Sequence, residues 1–209
     1  MKNMDNYIYD GWEEVRINSE DKKHIHVHEN FISEEDLVKI NEFCLTAEHI
    51  ESNPLILIDY IPTVVKNYET EITKILRSYR DKICKLLEET YDCKININSG
   101  YSEISSISRY TPGTLLNPHA DKVCESWRDL SNVLYFNDSY EGGEIYFYQY
   151  GIEFKPKAGT LLIFPSGANF GHGVKQITSG NRLVTSTFWV VEKWNSMDYA
   201  NWQSYHPIV

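Results

Sequence analysis

The chain has 209 residues, 42% of them hydrophobic and 24% charged, which is the composition of a globular protein that buries one sizeable core. Its net charge of −10 comes with no visible basic cluster to replace the counterions of DNA or RNA, so we expect no nucleic-acid partner. It has no long apolar run and no signal-peptide core, and its four scattered cysteines lack C-x-x-C spacing; we therefore expect no membrane span, free thiols and a cytoplasmic location.

The first distinctive segment is HIHVHEN, which places His24, His26 and His28 at alternate positions of a predicted strand. Alternate residues of a strand share one face, so three imidazoles there could bind zinc. Residues two apart on a strand are separated by about 6.6 Å, however, and one ion cannot easily contact all three without a bend. A polar strand face is therefore favoured over a metal site.

Two amphipathic helices are predicted next. In NFISEEDLVKINEFC (30–44), Ser33 is the expected N-cap residue, and Asp36 stands where a capping box places an acid. ETEITKILRSYRDKICKLLEETY (69–91) has a broad apolar stripe at helical spacing. Both helices are expected to pack on one sheet. IESNPLILIDYIP (50–62), between them, is expected to be a loop beside the substrate.

From Asn96 onward the chain changes to short alternating apolar runs broken by turns. The turn TSGN, before the strong strand pattern NRLVTSTFWVV, suits a hairpin with the preceding strand. Several short strands with regular turns favour a sandwich or jelly roll. The other strands are predicted in SEISSISRY (102–110), SNVLYFN (131–137), IYFYQY, IEFKPKAGTLLIFP (152–165) and HGVKQI.

Three side chains in this β half could hold a metal ion. His119 and Asp121, in NPHAD, are two apart and would share one face if both lie on a strand. Alone, the pair could be a hydrogen-bonded strand end, so a third ligand is needed. His172 begins a predicted strand, and its flanking glycines would leave room for a close approach. Two His and one carboxylate form the facial triad of non-haem Fe(II) oxygenases, although hydrolytic zinc sites use similar ligands.

Arg182 strengthens the iron interpretation. It lies ten residues past His172, at the start of the last strong strand. An arginine fork grips a carboxylate with two parallel hydrogen bonds. Near an iron site, such a residue suits the distal carboxylate of 2-oxoglutarate, whose keto-acid end would bind the metal.

Several segments resemble a known family in the family's own order. RYTPGTLLNPHAD resembles R-Y-x-x-G followed by H-x-D, and VLYFNDSYEGGEIYF resembles Y-L-N followed by G-G-E. AGTLLIFPS and HGVKQITSGNRLVTSTFW resemble the phenylalanine, the distal His, the G-x-R and the strand-ending Trp of the same pattern. The pattern is that of the prolyl 4-hydroxylase-like Fe(II)/2-oxoglutarate dioxygenases. ENFISEEDLVKI extends the resemblance, which then covers roughly residues 28–190.

The resemblance implies roles for particular residues. His119, Asp121 and His172 would bind Fe(II), and Arg182 would bind the C5 carboxylate of 2-oxoglutarate. Tyr135 would donate a hydrogen bond to that carboxylate. Tyr110 would lie near the other end of the co-substrate or near the substrate, although both tyrosines could equally be core aromatics. The collagen-type branch commonly has Lys where this chain has Arg182, which argues against close kinship to the collagen enzymes.

The resemblance also implies a fold and an activity. The expected fold is mainly β with α: a double-stranded β-helix (jelly roll) with the N-terminal helices packed on the major sheet. One dioxygenase domain would span 1–209, with helical support mainly in 30–92 and the β core at about 100–192. Its cofactors would be Fe(II), 2-oxoglutarate and O2, with ascorbate as a further candidate.

The expected reaction is hydroxylation of an unactivated C–H, first of all in a peptidyl proline, with decarboxylation of 2-oxoglutarate to succinate. The first alternative is the same chemistry on a small molecule such as a free amino acid or a nucleobase. The second is a non-catalytic jelly-roll module that binds a metal or ligand. The loop CESWRDL (124–130) is expected to flank the substrate. The sequence does not indicate an oligomeric state.

Overall fold

The computed structural model describes residues 19–48, 50–53, 58–62, 64–65, 68–99, 104 and 106–195. Three α-helices lie within these ranges: α1 (Glu34–Thr46), α2 (Glu71–Tyr91) and the single-turn α3 (Asp121–Cys124). The strands of the described residues are β1 (His26–His28), β2 (Ile50–Asn53), β3 (Ile58–Pro62), β4 (Val64–Val65), β5 (Tyr68–Glu69), β6 (Cys93–Ile95), β7 (Ser106–Tyr110), β8 (Leu116–His119), β9 (Leu130–Tyr135), β10 (Glu141–Gly142), β11 (Ile145–Phe147), β12 (Ile152–Phe154), β13 (Leu161–Pro165), β14 (His172–Val174), β15 (Ile177–Ser179), β16 (Arg182–Trp189) and β17 (Val191–Trp194).

Two antiparallel sheets form the β core. The major sheet has seven strands in the order β1-β13-β9-β16-β7-β3-β2, and the minor sheet has four in the order β12-β11-β14-β8. The pairs β10–β15, β17–β6 and β4–β5 complete the pairing within the described part of the chain. Apolar side chains of β9, β13 and β16 pack against those of β11 in one buried cluster between the sheets. The prediction of a mainly β chain with a few helices is confirmed.

The two long helices pack on the outer face of the major sheet, as predicted. Strand side chains alternate between the two faces, so Leu134 of β9 and Ile163 of β13 point to the helices while their neighbours face the minor sheet. Ile40 of α1 and Leu76 of α2 join them, and all four are fully buried. This core fixes the major sheet, whose other face packs against the minor sheet.

α1 begins as predicted, but its capping network differs from a simple capping box. Ser33 is the N-cap, and its hydroxyl accepts a hydrogen bond from the Asp36 backbone N–H at 3.2 Å. The Ser33 N–H donates to the Tyr79 hydroxyl of α2 at 3.0 Å, and that hydroxyl donates to the Asp36 carboxylate at 2.7 Å. The Tyr79 hydroxyl of α2 therefore bridges the Ser33 N–H and the Asp36 carboxylate, which would bond directly in a capping box, and it joins α1 to α2.

Two predictions about strands and loops are wrong. β15 pairs with β10, whereas β16 lies between β9 and β7 in the major sheet, so TSGN does not close a hairpin. Turn chemistry is local, and Gly180 (φ 73°) here lets the chain cross from one sheet to the other. The segment 50–62 is not a loop throughout, because it supplies β2 and β3 at the edge of the major sheet; residues 54–57 lie outside the described ranges.

The histidine-rich segment forms no cluster that could hold a metal within the described ranges. His24 ends a 3-10 helix, so only His26 and His28 lie on β1, and their ring centroids are 6.5 Å apart. Burial lowers the pKa of both rings and favours their neutral form.

The four cysteines, Cys44, Cys84, Cys93 and Cys124, form no disulfide. Among the helices within the described ranges, none has the length and hydropathy needed to cross a membrane. The expected cytoplasmic location stays a prediction.

Candidate metal centre and co-substrate pocket

The NPHAD segment places His119 and Asp121 side by side, but not on one strand. His119 is the last residue of β8, whereas Asp121 is the first residue of α3. The prediction that Asp121 is a strand residue is therefore wrong. Ala120 between them keeps an extended backbone (φ −119°, ψ 135°), so the two side chains still project the same way. His119 Nε2 lies 3.7 Å from Asp121 Oδ1.

His172 completes the cluster from the neighbouring strand. It begins β14, where it pairs directly with His119 of β8. Its Nε2 is 3.8 Å from Asp121 Oδ2, and one ligand atom from each of the three residues lies within 4.8 Å of the others. Asp121 and His172 are about 95% buried, being 5% and 6% exposed, whereas His119 is only partly covered. A cation between these atoms would have its remaining positions open to the cavity.

Backbone carbonyls orient both imidazoles. His119 Nδ1 donates to the Asn117 carbonyl at 2.8 Å, and His172 Nδ1 donates to the Phe170 carbonyl at 3.0 Å. A carbonyl oxygen can only accept, so the proton lies on Nδ1 and the lone pair on Nε2 faces the cluster. Burial also lowers the pKa of His172, which favours the neutral ring that metals bind.

The glycines on either side of His172 make room for two tyrosine side chains and not for a ligand. A Cβ at Gly171 would collide with the Tyr148 hydroxyl, and one at Gly173 would collide with the Tyr146 hydroxyl. Two tyrosine rings therefore already fill the space that the sequence suggested was open. The glycines let these tyrosines pack against the backbone on both sides of His172.

Arg182 is buried on the inner face of the major sheet between the two predicted tyrosines, Tyr110 and Tyr135. It is 2% exposed, and its guanidinium carbon lies 4.7 Å from the centroid of the Tyr110 ring and 5.0 Å from that of Tyr135. Arg182 pairs with Tyr110 across β16 and β7, and Val184 pairs with Tyr135 across β16 and β9. The register of three neighbouring strands thus brings these side chains together.

The hydrogen bonds of Arg182 are incomplete. Nη2 donates to the Tyr135 hydroxyl at 3.3 Å, while Nε and Nη1 have no partner. Burial raises the pKa of Tyr135, so the phenol stays neutral and keeps a proton of its own to donate. An unpaired buried guanidinium is costly, and a carboxylate is the group whose geometry matches its fork. The residues present therefore fit a 2-oxoglutarate carboxylate, as the triad fits Fe(II).

One cavity of about 560 Å³ contains the triad and Arg182 in its walls, a size typical of small-molecule sites. Tyr110 lines it directly, whereas Tyr135 is fully buried behind Arg182 and meets the cavity only through that residue. The predicted site residues therefore all line this cavity except Tyr135, which lies behind Arg182.

Two further residues that line this cavity, and one that is buried near Arg182, are not indicated by the sequence patterns. Arg128, in the predicted substrate loop, lies with its guanidinium carbon 3.8 Å from the Phe188 ring centroid and 3.9 Å (Nη1) from Asp121. Ser131 donates to Asp121 from the buried run LSNVLY. Tyr140 is buried close enough to Arg182 for its charge to act on the phenol, whose pKa burial raises to about 12. For Ser131, the available signal was a polar residue inside an otherwise apolar run.

Comparison with known proteins supports this assignment. The family model of the 2OG-Fe(II) oxygenase superfamily matches residues 105–191. Human prolyl 3-hydroxylase 2 is 34% identical over 88 residues, which cover 37% of this chain but only 12% of the human protein. The chain thus spans a small part of the curated relatives that it matches.

Solved structures show the fold. A Pseudomonas putida prolyl-4-hydroxylase aligns with a TM-score of 0.63 at 16% identity, over 82% of this chain and 96% of the bacterial one. A prolyl hydroxylase from Trichoplax adhaerens, in complex with a hypoxia inducible factor peptide fragment, aligns with a TM-score of 0.61 at 14% identity, over 88% and 91%. The predicted double-stranded β-helix is confirmed by these neighbours. Residues 105–191 are thus similar to the 2OG-Fe(II) oxygenase superfamily, and the curated protein that matches part of this chain is a prolyl hydroxylase.

Proposed function

We propose that this protein is an Fe(II)- and 2-oxoglutarate-dependent dioxygenase that hydroxylates a prolyl residue of a peptide. The proposed reaction converts 2-oxoglutarate and O2 to succinate and CO2, with one oxygen atom entering succinate and the other the substrate C–H. Bound iron would supply the activation of O2 that no amino-acid side chain provides. The whole of 1–209 is proposed to form one catalytic domain.

The observation that carries the proposal is the incomplete hydrogen bonding of Arg182 inside the cavity that contains the triad. Arg182 Nε and Nη1 have no hydrogen-bond partner there, and Nη2 donates to the hydroxyl of Tyr135 behind it. His119, Asp121 and His172 would hold the metal, and Tyr110 would cover the co-substrate. Arg182 would hold the C5 carboxylate, with the Tyr135 hydroxyl hydrogen-bonded to its guanidinium. In these roles the protein binds and orients the reactants and limits the access of water.

A peptide substrate is supported by the relatives and by Arg128. The relatives named above are prolyl 3- and 4-hydroxylases, so proline is the residue proposed, with the ring carbon to be read from the product. Arg128 lines the cavity, packs on Phe188 and has a buried Nε without a partner. A peptide carbonyl is the kind of acceptor that such a donor at the substrate side would bind.

The metal and co-substrate are tested by spectroscopy without oxygen. Fe(II) and 2-oxoglutarate added anaerobically should give a weak metal-to-ligand absorption band in the wild type. The band should be lost in His119→Ala and retained in His26→Ala, which removes a histidine of β1 outside the cavity. Absence of the band in the wild type would overturn the oxygenase proposal and favour a module that binds ligands without turnover.

The substrate is tested by succinate formation. Proline-containing peptides should raise turnover well above the uncoupled background, and mass spectrometry of the peptide should show the added oxygen. Stimulation by free amino acids or nucleobases, with none by peptides, would favour the small-molecule alternative. Parallel reactions with and without ascorbate test the further proposal that ascorbate sustains activity over many turnovers.

A further inference from the structure

A chain of two serine hydroxyls ends on the Asp121 carboxylate. Ser131 Oγ lies 2.7 Å from Asp121 Oδ2, and Ser166 Oγ lies 2.6 Å from Ser131 Oγ. Both serines are 1% exposed, so water does not compete for these hydrogen bonds. Among the described residues, Ser131 is the one side chain within hydrogen-bond distance of Asp121 that donates to it, because Arg128 Nη1 is 3.9 Å from Oδ1.

The direction of the chain follows from its end. An ionised carboxylate can only accept, so the single hydroxyl proton of Ser131 is donated to Asp121. Ser131 Oγ is then available to Ser166 only as an acceptor, and the Ser166 proton must be donated to it. Hydrogen bonds to charged acceptors are the stronger ones, and a donor behind such a bond polarises it further.

The elements that carry the serines are well fixed, whereas the one that carries Asp121 is a single helical turn without a side-chain cap. Ser131 lies in β9, between β13 and β16 of the major sheet. Ser166 directly follows β13; its carbonyl accepts from Lys122 N–H at 2.9 Å, and its N–H donates to the Asp129 carbonyl at 3.0 Å. The hydroxyl pair therefore connects the carboxylate to the central strands of the major sheet.

We propose that Ser131 and Ser166 are positioning residues for the metal site, in which Ser131 sets the rotation of the Asp121 carboxylate and Ser166 acts through Ser131. This inference rests on the proposed metal-binding function. Backbone carbonyls orient the two proposed histidine ligands, and the serine chain orients the third, Asp121, in the same way. Groups that orient metal ligands typically change metal affinity or activity by about 10- to 100-fold when removed.

The test measures metal affinity without turnover. Mn(II) is titrated into each protein in the absence of 2-oxoglutarate, and free Mn(II) is followed by electron paramagnetic resonance. Ser131→Ala should weaken Mn(II) binding by about 10- to 100-fold. Ser131→Thr, which keeps a hydroxyl on a strand, should restore most of the affinity. Ser78→Ala, at an exposed position on α2, is the matched control and should bind as the wild type does.

A double-mutant cycle separates positioning from general damage. Ser166→Ala should weaken binding less than Ser131→Ala, and the double variant should bind like Ser131→Ala alone, because Ser166 acts only through Ser131. Wild-type affinity in Ser131→Ala, or additive losses in the double variant, would overturn the inference while leaving the metal site intact. If Ser131→Ala does not fold, the Ser166→Ala and Ser131→Thr titrations decide.

If the protein does not bind a metal at all, the Mn(II) titration gives a different result. A wild type that binds no Mn(II) would remove the proposed metal site, and the positioning role with it. Melting temperatures of the metal-free variants complete the design, because a purely structural role would lower them without the graded change in Mn(II) affinity.

Discussion

The two faces of the central strands β9 and β16 are built for different purposes. On the face towards the helices lie Leu134 and Trp189, both fully buried, and the Trp189 N–H donates to Asn132 at 2.7 Å. On the face towards the minor sheet lie Ser131, Tyr135 and Arg182, equally buried but polar, with Arg182 left partly unpaired. One face therefore stabilises the fold, and the other holds buried polar groups that a ligand could pair.

The strongest way to test the cavity face is His172→Ala. It removes one of three proposed ligands and leaves a small cavity inside the barrel, so Fe(II) binding and turnover should fall below detection. The anaerobic absorption band and succinate formation measure the loss. The far-ultraviolet circular dichroism spectrum should stay that of the wild type, and turnover in a correctly folded variant would contradict the ligand role.

Arg182→Met should separate binding from stability. Loss of one partner of a buried charge pair costs about 2–5 kcal/mol, which corresponds to a rise in KM for 2-oxoglutarate of about 30-fold to several thousand-fold. Without co-substrate, replacing an unpaired buried charge by an apolar side chain should leave the free energy of unfolding unchanged or raise it. Steady-state kinetics and urea denaturation measure the two quantities.

Arg77→Met is the control for that variant, since Arg77 pairs with Glu69 near the surface, away from the cavity. It should change neither KM nor stability by much. A large loss of stability in Arg182→Met would show that the guanidinium is part of the scaffold, and the contrast between the two faces would then be lost.

Leu134→Ala should have the opposite profile. Truncation of a fully buried leucine in the helix-facing core should lower the free energy of unfolding by about 2–5 kcal/mol. KM for 2-oxoglutarate should stay close to that of the wild type at temperatures where the variant is folded. Leu45→Ala, at a residue that is 85% exposed, is the matched control and should have almost no effect in the same denaturation experiment.

Ser33→Ala should have a smaller effect, again confined to the helix side. It removes the N-cap acceptor of α1, which typically costs about 1 kcal/mol. Thermal denaturation would measure a modest drop in Tm with unchanged metal affinity. A loss as large as that of Leu134→Ala would mean that the Tyr79 network depends on Ser33 far more than its hydrogen bonds suggest.

The smallest expected effect is a pH dependence of the same network. The Tyr79 hydroxyl, which donates to Asp36, is the main cause that lowers the pKa of that carboxyl. A lowered folded-state pKa contributes stability above the unfolded-state value, near 3.9, and that stability is lost as the pH falls through the folded-state pKa. Tyr79→Phe should therefore be less stable than the wild type at neutral pH, and the difference should shrink below about pH 4. A constant difference across this range would exclude Asp36 as its source.

The sequence was most informative where chemistry constrains the order of residues. His119, Asp121, His172 and Arg182 were identified because few functions need that set in that order, and the structure brings all four to one cavity. The same reasoning wrongly placed Asp121 on a strand. His-x-Asp has the same two-residue spacing whether the strand continues through Asp121 or ends at His119.

Pairing between distant segments was less accessible. TSGN has the composition of a hairpin turn, but the pairing of β16 is decided by its long contact with β9, which local turn chemistry does not encode. Ser131 and Arg128 were missed for a similar reason: the first lies in a buried apolar strand and the second in a loop. Only the packed structure shows that their donors point at Asp121 and at the cavity.

The order of strands in the major sheet determines when each strand can pair during synthesis of the chain. β9 lies between β13 and β16, and both of these neighbours follow it in the sequence. Until β16 has been synthesised, one edge of β9 lacks its native partner, and the backbone N–H and C=O groups along that edge are unpaired. Strand pairing between distant segments is slow, and unpaired edges promote aggregation. The proposed metal site should therefore form only after β16 has been synthesised, and proteins truncated before β16 should be recovered poorly.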